Sequence, residues 1–272
     1  MCLLAKLSLS PGIKGYRTIY RVPKSQKKRR QDFSRKNVNM SSDLHQSPKF
    51  DPRKAINRLG KISVGYQKYP WLLVLYWFIS KPKSQLHSSG WMSSLIRGYP
   101  CRPDGTIVPW MNYAIVYFLE ERLKTDLKLF EFGSGYSTLF YANLVHSVTS
   151  VESDERWFTT VKSSIPSNAQ LIFQTGDKDG DYCRAAIQTG QLYDVIVVDG
   201  IDRVNSVRQS LDALTDRGVI LLDDSEREEY AEAFELTAQH EFRALTFEGL
   251  KPNDLELRRS TIFYRDNNCL RI

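Results

Sequence analysis

The sequence predicts an α/β fold built on a mostly parallel sheet, and three observations predict it. Lys128-Leu-Phe-Glu-Phe132 has apolar side chains on both faces, as a strand covered by helices on both sides requires, and runs through Gly133 and Gly135 into a Ser/Thr-rich helix start. Short apolar runs then alternate with stretches of helical spacing, with little loop between them. Most of these runs end on acids, at Glu131, Glu152, Asp199 and Asp223-Asp224.

Taken in order, residues 1–50 have no apolar period and hold the basic run Lys24-Ser-Gln-Lys-Lys-Arg-Arg30, which reads as a disordered, solvated tail. Such a run also leaves nuclear or organellar targeting open. Residues 51–105 form a small helical and aromatic extension around Trp71, Tyr76, Trp77 and Phe78, read as a helix packed on the main domain, with a membrane-surface segment as the alternative. The turn-rich 98–105 stretch leads into a main domain over 106–272. It opens with a helix at 109–123 that begins with proline at its first turn.

Gly133 and Gly135 supply the turn after the first strand, and a helix follows over 137–146. The second strand is 147–151, ending at Glu152, with a helix over 154–163. The third is 170–174, followed by Gly176-Asp177, and the fourth is 193–198, closed by Asp199. A helix over 204–215, a fifth strand at 218–222 and a helix over 226–239 come next. Strands at 242–247 and 260–265, joined by a charged loop, finish the chain.

Charge is unevenly spread. The chain carries a formal +7, but the first 40 residues hold +10 of it, so the remainder is −3. The folded part therefore offers no basic groove, and nucleic acid is not the expected partner. Four scattered cysteines show neither metal spacing nor a disulfide framework. No apolar run approaches the roughly 20 residues of a membrane span. A cytoplasmic protein is expected, and the oligomeric state is left open.

The glycine turn lacks the third glycine of a dinucleotide fingerprint, because Thr138 stands there. Glu131 just before the turn would repel a pyrophosphate and attract a cation. With Glu131-x-Gly-x-Gly135 and the acids Glu152, Asp177, Asp199, Asp223 and Asp224 in order, the chain resembles the class I S-adenosylmethionine-dependent methyltransferases. That resemblance covers roughly residues 109–265. It implies a Rossmann-like, seven-stranded, mostly parallel sheet closed by an antiparallel hairpin. It also implies S-adenosylmethionine as cofactor, held by Glu131, Gly133, Ser134, Gly135, Ser137 and Thr138. Glu152 would take the ribose hydroxyls, Asp177 the adenine amino group, and Trp110 and Tyr113 would fold over the ligand.

Methyl transfer from a sulfonium needs positioning, exclusion of water and a place for the acceptor's proton. Asp199 ends a buried strand, where a lone carboxylate is costly, so Asp199 and Arg203 are the expected catalytic pair. Asp199, Asp223 and Asp224 also look like the ligands of the metal-dependent catechol-type O-methyltransferases, with Asp224 where that pattern has Asn. Mg²⁺ is one expectation. The alternative is a metal-free site in which Asp199 orients the acceptor and Asp223, Asp224 and Arg227 form an ion-paired cap. The expected activity is methyl transfer to a small-molecule or sugar-like hydroxyl. The alternative function is an inactive methyltransferase-fold scaffold whose basic tail makes the contacts.

Overall fold

The strand that ends in the glycine turn lies inside the sheet, with a parallel neighbour on each side. The computed structural model describes residues 83–272 together with Leu75, Tyr76, Phe78, Ser80 and Lys81. The basic tail and most of the 51–82 stretch lie outside the described residues.

The short helices α1 (Gln85–Ser88) and α2 (Trp91–Arg97) come ahead of α3 (Tyr113–Arg122). The alternating part runs β1 (Lys128–Phe132), α4 (Tyr136–Ala142), β2 (Ser147–Glu152), α5 (Glu155–Lys162), β3 (Ala169–Phe173) and α6 (Asp181–Gln188). It continues through β4 (Tyr193–Val198), α7 (Arg203–Ser210), β5 (Leu214–Asp223), α8 (Ala231–Gln239), β6 (Arg243–Leu250) and β7 (Leu257–Tyr264).

The seven strands form one sheet in the order β3-β2-β1-β4-β5-β7-β6. β1 pairs in parallel with β2 and β4, β2 with β3, and β4 with β5, whereas β7 runs antiparallel between β5 and β6. The order reverses between β1 and β4. A crevice therefore opens at the C-terminal ends of these two strands, which is where open α/β sheets bind ligands.

Both faces are packed, as the continuous apolar strands require. Leu129, Val195, Val197 and Leu221 meet Ile115, Leu119 and Tyr141 on one face. Phe130, Phe132, Ile196 and Val198 meet Tyr182, Ala186 and Val207 on the other. The alternation of strand side chains thus feeds two cores.

Several boundaries differ from the sequence reading. The first helix starts at Tyr113 rather than at 109, because Asn112 caps it by accepting from the Ile115 N–H at 3.0 Å. The helix expected over 137–146 ends at Ala142. The one expected over 204–215 ends at Ser210, passes through a 3₁₀ turn (Leu211–Ala213) and gives way to β5 at Leu214. There Thr215 donates to Asp194 on β4, so a strand contact overrides the helical pattern. The helix expected over 226–239 is a 3₁₀ turn (Glu228–Tyr230) followed by α8. α6 was not anticipated, since its exposed, charged start reads as a turn.

Candidate functional site

The glycine turn is fastened from below. Glu131 is 1% exposed. Its Oε2 accepts from Thr138 Oγ1 at 2.6 Å and from Ser150 Oγ at 2.7 Å. Thr138 Oγ1 in turn accepts from the Gly135 N–H at 3.0 Å. Glu131 therefore ties the turn to β2 and to the first turn of α4. Gly133 and Gly135 have φ of 94° and 142°, conformations that side chains resist. Burial pushes the Glu131 carboxyl up to about 7, against the hydroxyls of Ser137, Thr138 and Ser150, which favour the carboxylate.

Glu152 stands at the end of the neighbouring strand. Its Oε2 accepts from Ser134 Oγ at 2.7 Å, and its Oε1 accepts from the N–H groups of Ser153 and Asp154 at 2.8 and 2.9 Å. Glu131 and Glu152 line one cavity of about 330 Å³ together with Gly133, Ser134, Ser137 and Asp199. That volume is at the lower end of the roughly 300–1,000 Å³ of small-molecule sites. Its floor is bare backbone. A Cβ on Gly133 would lie 3.3 Å from the Asp199 carbonyl oxygen, and one on Gly200 would lie 1.9 Å from the Tyr182 hydroxyl and 3.0 Å from the Gly133 nitrogen.

The cavity suits a cationic nucleoside. One carboxylate with two accepting oxygens can take a vicinal diol, and Glu152 offers this once the Ser134 hydroxyl moves aside. A diphosphate would meet three carboxyl groups, those of Glu131, Glu152 and Asp199, and no lysine or arginine among the lining residues.

Beyond Asp199 lies a cluster of charges. Ligand oxygens of Asp199, Asp223 and Asp224 lie within 4.8 Å of one another. The positions between them are taken by the protein's own cations. Lys251 Nζ donates to Asp223 Oδ2 at 2.6 Å and to Asp224 Oδ1. Arg203 donates to Asp199 Oδ1 at 3.0 Å and to the Asp223 carbonyl oxygen at 2.6 Å, and Arg227 donates to Asp224 Oδ2 at 3.0 Å. Ser260 Oγ donates to the remaining Asp223 oxygen at 2.5 Å.

Three acids thus face three bases. Burial and the charge of Asp223 push Asp199 well above the usual carboxylate range. Burial alone would lower Lys251, but the charges of Asp223 and Asp199 outweigh it and hold the ammonium above its ordinary value. A divalent cation needs surplus negative charge and several free oxygens; here three bases balance the three acids, and only one oxygen, on Asp199, accepts from no described residue. The expected Mg²⁺ site on Asp199, Asp223 and Asp224 does not fit the residues around it. The ion-paired alternative describes Asp224 and Arg227, with Lys251 as a partner that the sequence reading lacked.

The structure brings together Glu131, Gly133, Ser134, Ser137, Glu152 and Asp199 as cavity wall, with Gly135 and Thr138 in the turn behind it. Arg203 is 9% exposed and holds Asp199. Three expected ligand contacts lie elsewhere. Asp177 is exposed ahead of α6, its carboxylate against Gly180. Tyr113 is buried with Leu86, Trp91 and Met92. Trp110 donates its indole N–H to the Pro252 carbonyl oxygen at 2.9 Å and meets the Tyr136 ring edge-on.

Other contributors were missed. Trp157 covers Gly135 and donates its indole N–H to the Ser134 carbonyl oxygen at 2.8 Å. It lies three residues beyond the Asp154 cap of α5, so a capped helix start beside the glycine turn was the available signal. Tyr182 lies on the unanticipated α6. Lys251 had no local signal, because only the register of β6 on β7 carries it to Asp223.

The sheet order, with its antiparallel seventh strand beside the fifth, gives the chain the Rossmann-like fold of the class I S-adenosylmethionine-dependent methyltransferases. No family model and no curated protein matches the chain. Among solved structures it is similar to precorrin-8w decarboxylase of Methanobacterium thermoautotrophicum, at 19% identity over 61% of this chain and 96% of that one, with a TM-score of 0.45. It is also similar to a methyltransferase-like protein of Silicibacter pomeroyi, at 23% identity over 58% and 89% and a TM-score of 0.42. A third similar structure is a putative methyltransferase of Streptococcus mutans in complex with SAH, at 13% identity over 55% and 93% and a TM-score of 0.39.

Proposed function

We propose that the chain is an S-adenosylmethionine-dependent methyltransferase acting on a small-molecule or sugar-like hydroxyl, without a metal ion. The observation that carries this reading is the single cavity walled by Glu131 and Glu152 over a glycine floor. Bound S-adenosylmethionine would supply an activated methyl group. Glu152 would hold the ribose hydroxyls in place of Ser134, and Trp157 and Ile201 would exclude water from the flanks.

Asp199 faces this cavity with one oxygen held by Arg203 and the other accepting from no described residue. It would orient the acceptor hydroxyl and take up its proton, a role its raised pKa suits. A second cavity of about 540 Å³ shares Gly200 and Ile201 with the first, and Lys178, Arg203, Arg227, Glu229 and Tyr230 contribute to its lining. Both signs of charge around one tyrosine ring suit a compact polar acceptor better than a polyanion. Calorimetry with S-adenosylmethionine, S-adenosylhomocysteine and NAD tests the reading. One molecule of either adenosyl ligand per chain is expected, and binding of NAD alone would overturn it. Absence of all binding would favour the scaffold alternative, for which the present occupation of Glu152 by Ser134, Ser153 and Asp154 speaks.

A further inference from the structure

We infer that Lys251 is a resident cation that takes the place of a metal ion between Asp223 and Asp224, and that removing its ammonium converts Asp199, Asp223 and Asp224 into a divalent-cation site. The inference needs neither the methyl donor nor the acceptor. It rests on where the ammonium is held and on how the chain keeps it there.

The ammonium is a compact point charge with three donors. Here it bridges Asp223, at 2.6 Å, and Asp224, the pair that follows β5. It is 8% exposed, and its carboxylate partners are no more accessible. A lysine on a loose loop would not be a dependable occupant, but this loop is pinned. The Trp110 indole donates to the Pro252 carbonyl oxygen at 2.9 Å, and the Trp91 indole donates to the Asp254 carbonyl oxygen at 2.8 Å. Asn112 Nδ2 donates to Ser260 Oγ at 2.8 Å, and Ser260 passes a hydrogen bond on to Asp223.

The segment ahead of the sheet therefore acts at a distance on the acid cluster. Trp91, Trp110 and Asn112 hold the loop and the strand that place Lys251 between the acids. Without the ammonium, three carboxylates would face only Arg203 and Arg227, leaving one uncompensated negative charge and two freed oxygens. Hard oxygens in that number and spacing suit Mg²⁺ or Mn²⁺.

Electron paramagnetic resonance of free Mn²⁺, titrated against the full chain, tests this directly. The wild type is expected to leave the free signal unchanged at equimolar metal. K251A is expected to bind one Mn²⁺ per chain at least tenfold more tightly than the wild type, and Mg²⁺ should compete. The double variant K251A/D224N, which removes one of the three carboxylates, should lose that gain. Tight wild-type binding that D223N abolishes would overturn the inference, as would a folded K251A that binds no Mn²⁺. If K251A folds only with divalent cation supplied, the inference is supported, and if no cation restores its fold it is overturned.

Discussion

Glu152 and Glu131 are both carboxylates at strand ends, yet their surroundings give them different work. Glu152 spends its two oxygens on a movable hydroxyl and two backbone N–H groups, so a diol can replace Ser134 at little cost. Removing the carboxylate should cost the donor about 3 kcal/mol, or roughly 100-fold in affinity, since hydrogen bonds to a charged group contribute about 1.5–3 kcal/mol each. Calorimetry on E152A checks this, with circular dichroism to confirm the fold. Glu131 is held by Ser137, Thr138 and Ser150 and feels the charge of Glu152, with burial raising it from 4.5 to about 7. Between these values the folded state binds more protons than the unfolded one, so Glu131's contribution to stability is complete below about pH 4.5 and is lost as pH rises through 7. The loss amounts to about 3 kcal/mol. Urea unfolding at pH 5 and pH 8 should show this much less pH dependence in E131Q than in the wild type. A cationic ligand favours the carboxylate form, so S-adenosylmethionine should bind more tightly at pH 8 than at pH 6, and E131Q should flatten that rise.

Among the elements, the β1 turn, the start of α5 and α6 build the cavity jointly. Gly200 closes the floor, and Tyr182 from α6 rests against it so closely that a methyl group would lie 1.9 Å from the hydroxyl. G200A should therefore be destabilised and lose donor binding, while Y182F opens room for the added methyl. The double variant G200A/Y182F should recover part of the stability lost by G200A, and a thermodynamic cycle on unfolding midpoints measures this coupling. Strictly additive losses would mean that the two groups do not meet. Trp157 caps the turn from the side, so W157F, which keeps a ring and loses the N–H on the Ser134 carbonyl oxygen, should weaken donor binding by about 1 kcal/mol, roughly fivefold.

At the scale of the whole molecule, the parallel core was legible because β1 and β4 are apolar on both faces, and β1, β2 and β4 lie where the alternation of strand and helix places them. The cavity wall was legible for the same reason, since acids that end neighbouring parallel strands share one sheet edge. Helix ends were less so, because Thr215 joins a strand through a partner 21 residues away, which no local period reveals. Trp110 and Tyr113 were placed over the ligand by resemblance, whereas here they serve the loop after β6 and the packing of α2. Lys251 was illegible in principle. It reaches the acids through the pairing of β6 with β7 and of β7 with β5, and it pairs two of the acids that the sequence offers both as metal ligands and as part of an ion-paired cap.

Donor binding as proposed depends on Glu152 receiving a ribose at the edge of a cavity that it shares with Glu131. A crystal structure of the full chain with S-adenosylhomocysteine tests this most directly. The predicted result is a ligand in the cavity with both ribose hydroxyls within hydrogen-bond distance of Glu152 and the Ser134 hydroxyl displaced. A ligand bound elsewhere, or one in the cavity with Ser134 still bonded to Glu152 and the ribose turned away, would contradict it.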